Sequence, residues 1–197
     1  MAHLPPLNID AIEDPDIRER FQHYADTRGF TPNSIRTMAR RPGIVKAFMQ
    51  LNQAVLYEGT VSEELKMLVS LIASQAVGCR YCESHMANLS SIYSASDARI
   101  AAVWEFETSE LFSAAERAAL RLALHAALVP NQATQADFDA AAEHFDDGQI
   151  VEIVAAASLF GFLNRWNDTM ATELEAHPAG VAARTLGGGG WTPGKHA

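Results

Sequence analysis

The chain of 197 residues carries 24 Asp and Glu against 15 Lys and Arg, a formal net charge of -9. That acidity, with no basic stripe anywhere, excludes a nucleic-acid or anionic-membrane binder. A composition 48% hydrophobic and 20% charged is that of one globular domain with a substantial core. No apolar run reaches the roughly 18 residues of a membrane span. The opening MAHLPPLNIDAIEDPDIRER lacks the basic-then-apolar layout of a secretory leader. A cytoplasmic protein is therefore expected.

Residues 1–13, with Pro5 and Pro6, read as an extended arm. Asp14-Pro15 gives an N-cap and an N1 proline and Gly29 a stop, predicting a helix over about 15–27. Thr31-Pro32 opens a short helix ending near Arg41. Past Pro42-Gly43, an apolar stripe of Ile44, Ala47, Phe48, Leu51, Val55 and Leu56 marks a third. Thr60-Val61-Ser62-Glu63 fits a capping box, with Glu63 reaching back to the Thr60 amide. The helix it opens turns Leu65, Leu68, Val69, Ile72 and Ala76 inward. Val77-Gly78 interrupts it, since glycine is costly inside a helix and permissive at a bend. Cys79 and Cys82 then fall in the first turn of a new helix reaching about Tyr93.

Ser96 caps a helix through Trp104, Ser113 opens a boxed helix to about Leu128, and Thr134 begins another carrying Phe138, Ala141 and Phe145. The apolar run IVEIVAAASLFGFLNRW, followed by NDTMATELEAH, reads as one long buried helix. Pro178 breaks it and leads into a glycine-rich tail, Gly187 to Gly190, ending in Trp191 and Lys195-His196. No strand alternation or hairpin signal occurs. An all-α single domain is expected, divided into an N-terminal helical part (1–58), a core (59–177) and the tail (178–197).

The chemistry concentrates in Gly78-Cys79-Arg80-Tyr81-Cys82-Glu83-Ser84-His85, which holds both cysteines of the chain. A thiolate is the nucleophile, and the free amides and dipole of a helix N-terminus favour it. At about 100° per residue, Cys79 and Cys82 lie about 60° from eclipsed, close enough to bridge. Cys82 and His85 share the same i,i+3 relation, so His85 can exchange a proton with Cys82. Cys79 and His85 lie about 120° apart, outside contact. A c-type haem site needs His directly after the second Cys, where Glu83 stands. Structural zinc needs four ligands, and no second pair exists.

Tyr81 is placed to shield a disulfide or contact substrate, or equally to pack at an interface. Ser74, on the helix that leads to the cysteines, is a candidate to line the site, although a small helix-packing residue is the simpler reading. His125 reads as a satisfied core histidine. Asn164 and Asn167 are polar groups in a buried helix, so they either line the site or fix a subunit contact. Gly161 suggests close approach of another backbone. Trp166 reads as core or interface.

At these residues the chain resembles the carboxymuconolactone decarboxylase family, in its alkylhydroperoxidase D-like, peroxidase-related branch. The resemblance is carried by LKMLVSLIASQAVGCRYCESHMANL, SAAERAALRLALHAALVPN and IVEIVAAASLFGFLNRWNDTMATELE, and by the tail GGWTPGKH. It implies an all-helical bundle with the CxxC at the N-terminus of a core helix, assembling as a dimer, trimer or hexamer. It also implies reduction of organic hydroperoxides or hydrogen peroxide. Cys82 would be the peroxidatic thiol, Cys79 the resolving one and His85 the proton relay, with Glu83 a further site-lining candidate. No bound cofactor or metal is implied, only an external dithiol donor of lipoyl or thioredoxin type.

The chain departs from the family at two points. The family histidine falls where Met86 stands, one residue after His85, and the family's relay glutamate falls at Met67. Glu116 and Glu152 are then the candidate acids for His85. The absent glutamate also leaves open a second expectation, a dithiol redox sensor or general disulfide oxidoreductase without significant peroxidase activity.

Overall fold

A computed structural model describes residues 2–197, which form ten α-helices joined by loops and short 3-10 turns. They are α1 (Pro15–Arg28), α2 (Asn33–Met38), α3 (Pro42–Tyr57), α4 (Glu63–Val77), α5 (Arg80–Ile92), α6 (Asp97–Ala101), α7 (Ala114–Ala127), α8 (Gln135–Ala142), α9 (Asp147–Met170) and α10 (Ala176–Thr185). No strand occurs among the described residues, and none of their helices is long and apolar enough to cross a membrane. The all-α expectation holds.

The local signals explain most boundaries. Asp14 caps α1 by accepting the Asp16 and Ile17 amides, and Gly29 closes it in the left-handed region. Ser113, Thr134 and Asp146 each form reciprocal capping boxes with Glu116, Asp137 and Gln149. Helix α4 lies at the centre, packed by α5, α7 and α9, and ten consecutive residues from Leu65 to Ser74 are buried. Leu68, Val69, Leu71 and Ile72 are fully enclosed, each side chain contributing about 1.5–3 kcal/mol through removal from water.

Four expectations need correction. In α3 the buried face is Val45, Met49, Val55 and Leu56, whereas Ile44 and Leu51 are about half exposed. The helix α4 is capped by Ser62, which accepts the Leu65 amide, and no Glu63 box forms. The Thr60 amide instead donates to Glu152, 2.9 Å away. Pro178 does not end the helical region: it sits in the first turn of α10, where its missing N–H would have had no helical acceptor. The tail beyond α10 packs against the body of the chain, with Trp191 and His196 buried.

Glu152 does more than cap. Lys66 is 1% exposed, and its ammonium pairs with Glu152 at 2.8 Å and donates to the Glu58 carbonyl. Gly59 is needed there: at φ 92° it turns the chain past the carboxylate, and a Cβ would stand 2.3 Å from Glu152 Oε2. Burial would raise the Glu152 carboxyl, but Lys66 and the Thr60 and Val61 amides outweigh it and hold it at about 2. Glu152→Ala strands the buried ammonium and is expected to cost about 3–5 kcal/mol in urea melts, with Lys66→Met on that background restoring part. A depressed folded pKa gives stability that is present above the unfolded carboxylate value and lost on acidification. Stability is therefore expected to fall between about pH 4.5 and pH 2, less steeply in Glu152→Gln.

Candidate active site

The site is set by the corner between α4 and α5. Gly78 ends α4 at φ 73°, and the amides of Gly78 and Cys79 both donate to the Ser74 carbonyl, at 3.0 and 3.2 Å. That fold-back makes Cys79 the N-cap of α5 and puts Cys82 in its first turn, as the sequence predicts. Both thiols are free and buried. Burial pushes the Cys82 thiol well above its ordinary value, as does its hydrogen bond to Cys79. That same S–H bond to Cys79 is the main cause lowering Cys79, which lies at about 7 against the opposing effect of its own burial. Of the two sulfurs, Cys79 is the more readily ionised. On the other side of Cys82, Asn167 of α9 donates from Nδ2 to Sγ at 3.4 Å and to the Leu163 carbonyl at 3.0 Å.

Cys82 and His85 line one cavity of about 60 Å³, walled by Tyr81, Met86, Phe160, Leu163 and Asn167 among others. The acid for His85 is Glu175, the N-cap of α10, with Oε2 2.7 Å from Nε2. Glu175 also accepts the Tyr81 hydroxyl at 3.0 Å and the Asn33 amide. Burial would raise this carboxyl, but the His85 ring and the Asn33 amide hold it below its ordinary value. Tyr81 stacks on His85 with ring centroids 4.3 Å apart, and its oxygen accepts the Ser34 amide at 3.3 Å. Burial, and Glu175 beside it, keep the Tyr81 hydroxyl protonated well above the usual range.

The structure thus brings together Cys79, Cys82, His85, Tyr81 and Asn167. Ser74 contributes only its carbonyl, since its hydroxyl donates to Ser70 O at 2.8 Å. Glu83 does not line the cavity: it pairs with Arg80 at 2.8 Å beside a separate groove that includes Trp104 and Trp191. Asn164 likewise faces away, its Nδ2 3.5 Å from the Ala73 carbonyl, in a groove with Gly161 and Asp168. Within the chain no atom lies within 4 Å of a Cβ built at Gly161. His125 is satisfied by Asp137 at 2.9 Å. Glu116 is held by Arg99 and the Ser113 cap, and Glu152 by Lys66, so neither candidate acid serves His85.

Sequence reasoning missed Glu175, 90 residues from His85, and His196, at the end of the glycine-rich tail. Cys79, Asp168 and His196 bring one donor atom each within 4.8 Å of one another, the one such group among the described residues. Three donors fall short of the four of a structural zinc site.

An all-helical chain with a buried CxxC at the start of a core helix is of the alkylhydroperoxidase D-like class. The chain belongs to the carboxymuconolactone decarboxylase family, whose model matches residues 42–125. The debrominase Bmp8 in its apo form superposes with a TM-score of 0.84 at 31% identity, over 93% of this chain and 97% of that one. A cysteine-to-alanine variant of the same enzyme, in complex with 2,3,4-tribromopyrrole, gives 0.85 at 30% identity, over 94% and 98%. An uncharacterised peroxidase-related protein from Ralstonia eutropha JMP134, described as an alkylhydroperoxidase AhpD core, gives 0.80 at 25% identity, over 90% and 94%. An uncharacterised Bacillus subtilis (strain 168) protein, YdfG, is 23% identical over 111 residues, 56% of this chain and 74% of that protein.

The Tyr81 hydroxyl ties α5 to α2 and α10. Tyr81→Phe leaves the buried Ser34 amide without its acceptor and is expected to cost about 1–3 kcal/mol in chemical denaturation, with the helical content unchanged.

Proposed function

We propose that the protein is a dithiol-dependent reductase of small electrophiles, with organic hydroperoxides as its substrate class. The observation that carries this reading is the free Cys79–Cys82 pair, with Cys82 lining a mostly apolar cavity that His85, paired with Glu175, also lines. Apolar walls suit the hydrocarbon part of an organic hydroperoxide better than hydrogen peroxide.

The steps balance as follows. Cys82 passes its proton to Cys79 as substrate enters, and the Cys82 thiolate attacks the outer peroxide oxygen. The S–O bond forms, the O–O bond breaks, and the leaving alkoxide takes a proton from protonated His85, whose ring Glu175 holds in place. Cys79 then attacks the Cys82 sulfenic sulfur. A disulfide forms, and the departing hydroxide takes the Cys79 proton and leaves as water. An external dithiol returns two electrons and two protons.

A second reading is favoured by the likeness to the debrominase over nearly the whole of both chains. A thiolate that takes an oxygen can also take a bromine from an electron-rich aromatic ring. The carbanion is then protonated, and Cys79 expels bromide as the disulfide forms. A general disulfide oxidoreductase fits less well, because both thiols are closed off from a protein-sized partner.

The test supplies purified protein with a dithiol donor and either tert-butyl hydroperoxide or 2,3,4-tribromopyrrole, following peroxide loss and bromide release. Cys82→Ser is expected to abolish turnover of either. Cys79→Ser should stop after one turnover with a dimedone-reactive Cys82, and Glu175→Gln should lower kcat roughly tenfold or more. Turnover that survives in Cys82→Ser overturns the mechanism. A reversible disulfide without consumption of either substrate points to a redox sensor.

A further inference from the structure

The mechanism above leaves one buried titratable group beside the dithiol unused. His196, in the 3-10 turn Gly194–His196, is 1% exposed. Its Nδ1 lies 2.8 Å from the Thr172 carbonyl, which can only accept, so Nδ1 carries a proton. Its Nε2 lies 3.1 Å from Asp168 Oδ1, and an ionised carboxylate also only accepts. A ring with acceptors at both nitrogens is placed to favour its doubly protonated form. Its backbone is pinned as well, because the His196 carbonyl accepts the Leu174 amide at 2.9 Å.

We propose that the segment 187–197 completes the dithiol site, with His196 as the charged positioning residue that holds Cys79 as a thiolate and stabilises it as a leaving sulfur. The Cys79 sulfur, an Asp168 oxygen and a His196 nitrogen all lie within 4.8 Å of one another. Lys195 also reaches Asp168, at 3.3 Å, so two side chains of the tail share the one carboxylate whose negative charge works against a Cys79 thiolate. The other charged groups around the sulfur are already paired. On α5, Glu83 is bound to Arg80, and His85 is bound to Glu175 of α10. The buried stretch of α4 that packs on this corner has Lys66 as its one charged side chain, itself paired with Glu152. Burial would lower the His196 pKa, but Cys79, the Thr172 carbonyl and Asp168 outweigh it and raise it. The inference rests on the dithiol reading, in which the disulfide is reduced by attack on Cys82 and Cys79 departs. An opposite charge at this range favours the thiolate and so speeds that departure.

The experiment needs no substrate, so its failure is distinguishable from failure of the peroxidase or dehalogenase reading. In the Cys82→Ser protein, alkylation by iodoacetamide reports Cys79 alone, and its rate is followed against pH. A midpoint clearly below that of a free cysteine is expected. Adding His196→Asn, whose amide can take over the Nδ1 contact, or His196→Gln, should raise that midpoint by about one unit. Alkylation at pH 7 should then slow roughly fivefold. Lys195→Ala serves as a control with a smaller shift. A midpoint that does not move in a folded His196 variant overturns the proposal, because a merely structural contact would change the melting temperature and leave the titration alone. Should neither variant fold, the Cys82→Ser protein still decides: a midpoint at or above that of a free cysteine overturns the proposal. So does a stoichiometric zinc ion in the purified protein, which would make His196 a ligand.

Discussion

A carboxylate taken out of water must be surrounded by donors, and the site is built around one that is. Glu175, at the start of α10, collects the Asn33 amide of α2 and the Tyr81 hydroxyl and His85 ring of α5. Losing one donor would leave charge buried without compensation, which is far more costly than losing an ordinary hydrogen bond. The three helices are therefore fixed relative to one another by an electrostatic requirement as well as by packing. The same requirement stands His85 beside the cavity in a defined orientation, with its Tyr81-stacked face toward α5.

The two sulfurs are differentiated by what packs on each of them. Cys82 meets an amide donor, Asn167, and a mostly apolar cavity, while Cys79 sits at the helix cap near the His196 ring. Two residues of one motif thus receive different environments from α9 and from the C-terminal segment. Those surroundings act in opposite directions, lowering the pKa of the Cys79 thiol and raising that of Cys82.

Much of this architecture was legible in the sequence because it rests on local chemistry. The caps at Asp14, Ser113 and Thr134, the break at Gly78 and the CxxC at a helix start all follow from interactions spanning four residues or fewer. What escaped is long-range. The Thr60 box failed because Glu152, 92 residues away, reached the amide that Glu63 was expected to satisfy. The family pattern places the acid for His85 at Met67, on the preceding helix, with Glu116 and Glu152 as the alternatives, and it comes instead from the start of a helix hidden by Pro178. That proline was read as a terminator, although in a first turn it removes no hydrogen bond. Glu83, adjacent to Cys82 in sequence, was drawn off by Arg80 to another face. Nothing in the composition of the glycine-rich tail announced that His196 would be enclosed.

The spread of these contacts along the chain has a consequence for how the two thiols come to differ. Glu175 is 142 residues from Asn33 and 90 from His85, and His196 joins Thr172 across another 24. None of these neighbours exists until distant parts of the chain have come together. The difference between the two sulfurs is thereby a property of the completed topology: the CxxC motif alone, without its distant neighbours, would hold two equivalent thiols.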